Sequence, residues 1–267
     1  MIDRSRLTFL GNGLNRLASA VVSVVGGGGG GSHIAQQLAH LAVGTVAIID
    51  PDVIATSNVN RLPCCSYSDV GRSKAAVLAE RLAGLGGRVV PVIDRAESDA
   101  GRRWLKRSDV VIGAVDGIRA RSNLERICRS AIVPYIDIGL GIDVTDDGTV
   151  RAIGGQIATS FVNGPCLRCL EIVTEAALTD DREEYIVGAP DQQVISMNGV
   201  LASQAVNHVL AVLCQYAPGF AVPAILRYDG LLYRMLPDAG ETHGTCPHFD
   251  LESAGWSVVL PTRKAAP

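Results

Sequence analysis

Residues 21–32 have the sequence VVSVVGGGGGGS, and this stretch decides the fold. Four valines and one serine, a run that suits a strand, lead into six consecutive glycines, and an Ala/Leu-rich segment that suits a helix follows. The glycines contain the pattern Gly26-x-Gly28-x-x-Gly31, which is typical of a strand–turn–helix unit that binds a nucleotide. The first glycine permits a tight turn, the second lets phosphate approach the backbone, and the third allows close helix-on-strand packing. The stretch therefore predicts a phosphate-binding loop, with a flexible linker as the alternative.

Segments that suit strands and helices alternate through the first half of the chain. The predicted strands are 21–25, 45–49, 88–93, 109–115 and 135–138. The predicted helices are 31–42, 74–85 and 119–130. This order indicates α/β architecture with a doubly wound, Rossmann-like, mostly parallel sheet. After about residue 143 short alternating segments with glycine turns predict antiparallel strands, and a long helix is expected over about 196–215.

The composition excludes several classes of protein. The net charge is −3 with acidic and basic residues interspersed, so no nucleic-acid partner is expected. No uninterrupted apolar run reaches the length of about 20 residues that spans a bilayer, so no membrane partner is expected either. The seven cysteines are odd in number and are not spaced like a disulfide framework. They indicate a reducing, cytoplasmic setting.

Charged residues downstream of the glycines identify the ligand. Asp50 lies 19 residues after Gly31 at the predicted end of the second strand, where a carboxylate can accept hydrogen bonds from ribose hydroxyls. Arg61, Lys74 and Asp116 are expected at the same edge of the sheet. Arginine and lysine can neutralise phosphate oxygens, and aspartate supplies a hard oxygen ligand for Mg²⁺. This set favours ATP with Mg²⁺ over a nicotinamide, whose ring needs an apolar pocket.

Five motifs occur together in a fixed order. They are Gly26-x-Gly28-Gly29-x-Gly31-Ser32, Asp50-x-Asp52, Ser57-Asn58-x-x-Arg61, Asp69-Val70-Gly71-x-x-Lys74, and Asp116 with Arg121. In this order and spacing the chain resembles the ThiF/MoeB/HesA family of adenylating enzymes, related to ubiquitin-activating enzyme, over about residues 3–250. The resemblance implies that the C-terminal carboxylate of a ubiquitin-like or sulfur-carrier protein, or of a peptide, attacks the α-phosphorus of ATP. That tail usually ends in Gly-Gly, and the products are an acyl-adenylate and pyrophosphate.

The resemblance also implies roles for single residues. The expected nucleotide-binding residues are Gly26, Gly28, Gly29, Gly31, Asp50, Ser57, Asn58, Arg61, Lys74 and Asp116. Among them Asp50 holds the ribose, Lys74 contacts the phosphates and Asp116 holds Mg²⁺. The chemistry is positioning and charge stabilisation, so no general base is demanded. Asp69 is expected to cap the helix that carries Lys74.

The N-terminal arm is expected to act across a homodimer. In many dimeric family members an arginine of this arm reaches the ATP of the neighbouring subunit. Arg6 is the expected residue here and Arg4 is its rival; Arg6 joins Arg61, Lys74 and Asp116 as the expected catalytic set. The predicted organisation is an arm over 1–20, a ThiF-type ATP-binding adenylation domain over 21–250, and a tail over 251–267.

Cys166 and Cys169 have the two-residue gap of a zinc knuckle, and Cys246 could supply part of the other half. The family often binds a structural zinc with two Cys-x-x-Cys pairs, but Phe249 stands where the fourth cysteine would be. His248, or alternatively His243, is the expected fourth ligand. If the zinc has been lost, the cysteines are buried hydrophobic residues. Zinc is the favoured prediction.

Many relatives carry a cysteine that forms a thioester or persulfide before the last long helix, but residues 170–195 contain none. Cys64 and Cys65 are alternative nucleophiles, although packing residues are more common at such positions. We therefore expect adenylation alone, with the acyl group passed to a separate partner. Two other functions stay open: an NAD(P)- or flavin-dependent oxidoreductase, and a non-catalytic scaffold that binds a ubiquitin-like partner.

Overall fold

A computed structural model describes residues 9–180, 193–216, 221–238, 240, 241, 246 and 248. Arg4 and Arg6 of the arm, His243, Phe249 and the tail over 251–267 lie outside the described residues. Residues 181–192, before the last long helix, also lie outside them.

The described chain forms one eight-stranded mixed sheet. Its strands are β1 Val21–Val25, β2 Thr45–Ile49, β3 Arg88–Val92, β4 Val110–Gly113, β5 Tyr135–Val144, β6 Val150–Ser160, β7 Ile225–Asp229 and β8 Arg234–Asp238. Its helices are α1 Gly13–Ser19, α2 Gly29–His40, α3 Lys74–Leu82, α4 Asp99–Arg107, α5 Ile118–Ser130 and α6 Ile195–Cys214. The strand order is β3-β2-β1-β4-β5-β6-β7-β8.

The first five strands are parallel and the last three join them antiparallel. The predicted fold class, a Rossmann-like parallel sheet extended by antiparallel strands, is therefore confirmed. Chain order reverses at β1, which pairs with β2 on one side and β4 on the other. A crevice at such a reversal, beyond the carboxyl ends of the strands, is where open α/β sheets bind ligands.

Helices cover both faces of the parallel part of the sheet. On one face Ile34 of α2, Leu78 of α3 and Leu201 of α6 belong to a single buried cluster with the strands. On the other face Leu105 of α4 and Leu124 of α5 belong to a second cluster. Since β1, β2 and β4 are buried from both sides, their sequences are nearly continuous apolar runs.

The helix α6 is long and apolar enough, by length and composition, to cross a membrane. It packs instead against α2 and β5 inside the fold, and 56% of its most apolar window is buried there. Leu201, Ala205 and Val209 are completely or almost completely inaccessible. These are the features of a core helix in an α/β sheet.

The structure corrects two local expectations. Asp69 does not cap α3: Ser73 does, because it immediately precedes the helix and its hydroxyl accepts a hydrogen bond from the Ala76 N–H at 3.3 Å. The buried Asp69 carboxylate instead accepts from the Ser66 hydroxyl and pairs with Arg72, and these bonds lower its pKa to about 2. The structure also contains a helix that the sequence patterns did not predict, α4. It begins after Ser98, whose hydroxyl oxygen accepts a hydrogen bond from the Gly101 N–H at 3.0 Å.

Candidate adenylation site

The glycine loop joins β1 to α2 in a conformation that excludes side chains at two points. Gly26 has φ +91°, and a Cβ there would lie 2.3 Å from the Ala114 carbonyl oxygen. A Cβ on Gly31 would lie 1.7 Å from the carbonyl oxygen of Gly26. At Gly28, by contrast, a Cβ would meet nothing within 4 Å, so this side of the loop is open. The first N–H groups of α2 therefore face an accessible space, which suits an anion.

That space is a cleft of about 1170 Å³ at the carboxyl ends of the parallel strands. The predicted residues that line it are Gly26, Gly28, Gly29, Asp50, Asn58, Arg61, Lys74 and Asp116. Gly31 and Ser57 are not among the described residues that line it. Gly31 lies beneath the loop against Gly26, and Ser57 is exposed and contributes its carbonyl oxygen to Arg61 at 2.6 Å.

Asp50 fixes the end of β2 to the glycine loop. Its Oδ2 accepts a hydrogen bond from the Gly27 N–H at 2.5 Å, and its Oδ1 accepts one from the Asp52 N–H at 2.7 Å. The residue is 4% exposed, and burial raises its pKa against the opposing effect of these two bonds. The carboxylate thus has a fixed orientation at the floor of the cleft.

Lys74 stands at the first position of α3, beside the loop. Its Nζ lies 3.0 Å from Oδ2 of Asp52, a carboxylate whose side chain is 64% exposed, while the lysine side chain is only 13% exposed. An ion pair with so exposed a partner stabilises the fold little. Lys74 is therefore a cation that can exchange Asp52 for an anionic ligand in the cleft.

Arg61 and Asn58 belong to the segment between β2 and α3. Arg61 donates from Nη1 to the Ser57 carbonyl oxygen, and the Asn58 side-chain oxygen accepts from the Ala55 N–H at 3.0 Å. The asparagine thereby holds the turn at residues 56–58 in shape. This places a second cation, Arg61, on the wall of the cleft.

Asp116 follows β4 and is exposed at the cleft, where its Oδ1 lies 3.5 Å from the Gln193 Nε2. Deeper in the same wall, Arg121 donates to Asp137 Oδ2 at 2.5 Å and to the Ile138 carbonyl oxygen at 2.9 Å. This buried pair ties α5 to β5 directly behind Asp116.

Five further polar residues line the cleft without having been predicted: Arg95, Glu97, Asp143, Gln193 and Asn198. Arg95 and Glu97 come just after β3, so the rule that strand ends share one edge could have found them. Gln193 and Asn198 flank the start of α6, far along the chain. No local sequence signal connects them with the glycine loop.

Three buried cysteines lie together away from the cleft. Cys166 Sγ is 3.2 Å from Cys246 Sγ and 3.6 Å from Cys169 Sγ, and His248 Nδ1 is 3.9 Å from Cys246 Sγ. Two sulfurs bound tetrahedrally to zinc at about 2.3 Å would be separated by about 3.8 Å. Of the predicted ligands, Cys166, Cys246 and His248 have donor atoms within 4.8 Å of one another, and Cys169 adjoins this group through Cys166. Thiolate and imidazole are donors that zinc takes in structural sites.

Cys64 and Cys65 do not have the surroundings of a nucleophile. Both are half-buried, and burial raises their pKa, that of Cys65 to about 11. Reactive cysteines need the opposite shift, because the thiolate is the nucleophile.

Comparisons with known proteins agree with this geometry. The ThiF family matches residues 2–247. The SAMP-activating enzyme E1 of Haloferax volcanii is 34% identical over 160 residues, 59% of this chain and 56% of that protein. The molybdopterin-synthase adenylyltransferase of Salmonella typhimurium is 30% identical over 222 residues, 82% of each protein. A solved structure of Escherichia coli MccB with ATP superposes with a TM-score of 0.68 at 19% identity, over 86% of this chain and 67% of that one.

Proposed function

The chain belongs to the ThiF family, and from that membership we propose that it adenylates the C-terminal carboxylate of a ubiquitin-like or sulfur-carrier protein or peptide. The resemblance drawn from the motifs is confirmed, and so is the adenylyltransferase class, by which the relatives are named. One observation carries the proposal: the open glycine loop, two cations and two carboxylates converge on a single cleft.

The residues of the cleft can take separate roles in a nucleotidyl transfer. The acceptor carboxylate is already ionised at pH 7, so it can attack the α-phosphorus directly. A carboxylate oxygen–phosphorus bond forms, the bond to the bridging oxygen breaks, and pyrophosphate leaves with that electron pair. Lys74 and Arg61 would neutralise the phosphate oxygens, and the N-terminus of α2 would bind them. Asp50 would hold the ribose.

Asp116 would hold Mg²⁺ at the cleft. Carboxylate and phosphate oxygens are the ligands that this ion prefers, and Asp116 is exposed where the phosphates would lie. When bound, the ion supplies charge neutralisation for the departing pyrophosphate. Asp116 would therefore act through charge and position, without transferring a proton.

The acceptor tail would enter along β5. The cleft continues past Gly139 to Asp143 and Val144, where the strand extends beyond the parallel sheet. A tail ending in Gly-Gly has no side chains to collide with the residues along this approach. Since neither Cys64 nor Cys65 is activated, the acyl-adenylate would pass to a separate partner.

Two further proposals concern assembly and location. We propose a homodimer in which Arg6, or its rival Arg4, reaches the partner's nucleotide, as the resemblance implies. We also propose a cytoplasmic location, because none of the seven cysteines forms a disulfide in the structure. Mass determination under native conditions tests the homodimer, because a fully active monomer would contradict it.

Thiol titration after denaturation in a chelator tests the cytoplasmic location. Fewer than seven titratable thiols in the isolated protein would contradict that location.

A structural zinc is proposed at Cys166, Cys169, Cys246 and His248. The protein as purified should contain about one zinc per chain, and Cys166→Ser should remove it, because loss of one thiolate leaves an incomplete tetrahedral site. Cys128→Ser is the matched control, since Cys128 is equally buried but lies outside the cluster. Elemental analysis that finds no zinc in the unmodified protein would contradict the site.

Nucleotide binding tests the adenylation proposal against its rivals. Calorimetry should show binding of Mg·ATP, and Lys74→Ala should weaken it about ten-fold or more, as expected for a lost charge-assisted contact. Lys106→Ala, which removes an exposed lysine outside the cleft, should bind like the unmodified protein. Preference for NADH over ATP would support an oxidoreductase instead. If a ubiquitin-like partner binds equally well without nucleotide and to Asp116→Ala, the result would support a non-catalytic scaffold.

A further inference from the structure

The first turn of α6 brings a side-chain amide to the glycine loop. Asn198 is 6% exposed and lines the cleft. A Cβ built on Gly29, the first residue of α2, would lie only 2.5 Å from the Asn198 Nδ2. The amide therefore packs directly on the N-terminus of α2.

This amide nitrogen is a buried hydrogen-bond donor. Nδ2 of Asn198 is buried and has no hydrogen-bond partner among the residues that the structure describes. Buried side-chain donors are nearly always paired in folded proteins, because burial removes the water that would otherwise accept from them. Because Asn198 lines the cleft, a bound ligand can supply this partner.

The position of the amide identifies that partner as an anion oxygen. The N-terminus of α2 attracts negative charge, and the open side of Gly28 lets such a group approach the backbone. An oxygen bound there would lie beside Gly29 and hence within reach of the amide. Asparagine adds a donor without adding charge, so it can point at phosphate while Lys74 and Arg61 carry the neutralisation.

We propose that Asn198 is a further phosphate-binding residue, whose Nδ2 donates a hydrogen bond to a phosphate oxygen of the bound nucleotide. The inference rests on the nucleotide-binding function proposed above. It adds to that function a ligand contact from a helix distant in sequence. Since Gln193 reaches Asp116 from the same end of α6, this end of the helix contacts both the phosphate loop and the proposed Mg²⁺ ligand.

The test compares Asn198→Ala with Asn207→Ala, a change at an exposed asparagine on the same helix. Binding of Mg²⁺ with a non-hydrolysable ATP analogue is measured by calorimetry, and the melting temperature is measured without nucleotide. Asn198→Ala should weaken binding about ten-fold or more, the cost of one hydrogen bond to a charged group. Its melting temperature without nucleotide should stay within about 2 °C of the unmodified protein, because no protein partner is lost. Asn207→Ala should change neither quantity.

Three outcomes overturn the inference, and they are distinguishable. If the unmodified protein does not bind the analogue, both the proposed function and the proposed role of Asn198 are contradicted. If binding is normal and Asn198→Ala only lowers the melting temperature, the side chain is a packing residue and the function stands. If analogue affinity is unchanged but the acceptor's KM rises, Asn198 contacts the acceptor tail and not the phosphates.

Discussion

At the scale of single residues, the six glycines differ in what the backbone demands of them. Gly26 and Gly31 are required by contacts with neighbouring carbonyl oxygens, and Gly28 borders open space. Gly27 and Gly30, which the nucleotide pattern does not explain, lie against neighbouring side chains. A Cβ on Gly30 would lie 2.6 Å from Ile138 Cδ1, and one on Gly27 would lie 3.3 Å from Asp50 Oδ2. The pattern predicted the loop, but these tertiary contacts are not visible in the sequence.

Two substitutions should separate stability from binding within this loop. Gly31→Ala should lower the free energy of unfolding by about 3 kcal/mol, because its methyl group collides with the Gly26 carbonyl oxygen. Gly28→Ala should change that free energy by about 0.5 kcal/mol or less, yet weaken ATP binding, because its methyl group occupies the open space. Urea denaturation and nucleotide titration measure both. Equal destabilisation by the two substitutions, or unaltered binding by Gly28→Ala, would contradict this division.

At the scale of elements, sequence patterns located all five strands of the parallel sheet and misjudged helix ends. The apolar runs were easy to identify because strands buried on both faces lack polar positions. The start of α2 at Gly29 was placed two residues too late, since glycine has low helix propensity and only bound phosphate or packing favours it there. The cap of α3 was assigned to Asp69 rather than Ser73, because both are good capping residues and only the bend of the chain decides between them.

The contact between α6 and β6 should make stability depend on pH. His208 of α6 is 4% exposed, its Nδ1 lies 3.0 Å from Thr159 Oγ1, and burial lowers its pKa from 6.5 to about 4. The unfolded chain takes up a proton below pH 6.5 and the folded chain does not until about pH 4, so stability is full above pH 6.5 and falls as pH decreases. The loss at pH 5 is about 2 kcal/mol. His33, whose pKa is also lowered by burial, adds a loss of the same sign.

Denaturation at pH 7.5 and pH 5 measures this effect. Compared with the unmodified protein, His208→Gln should lose about 2 kcal/mol less between the two pH values, since glutamine does not titrate. An identical loss in both proteins would show that His208 is not the group responsible.

At the scale of the whole molecule, the cleft depends on the reversal of strand order at β1. That reversal gathers residues from the ends of β1, β2 and β4, and the motifs predicted this part of the site. The approach of α6 could not be predicted, because Gln193 and Asn198 reach the loop only through packing of α6 on α2. The cysteine cluster could be predicted although Cys246 lies 80 residues from Cys166. The two-residue gap between Cys166 and Cys169 is itself typical of a zinc site.

Exchange of labelled pyrophosphate into ATP tests the central claim most directly, because it reports reversible formation of an acyl-adenylate. The account predicts exchange that requires a carrier protein or peptide with a free Gly-Gly carboxylate. Exchange should be lost when that carboxylate is amidated and strongly reduced in Lys74→Ala. Absence of exchange with every such acceptor, or exchange that persists undiminished in Lys74→Ala, would contradict it.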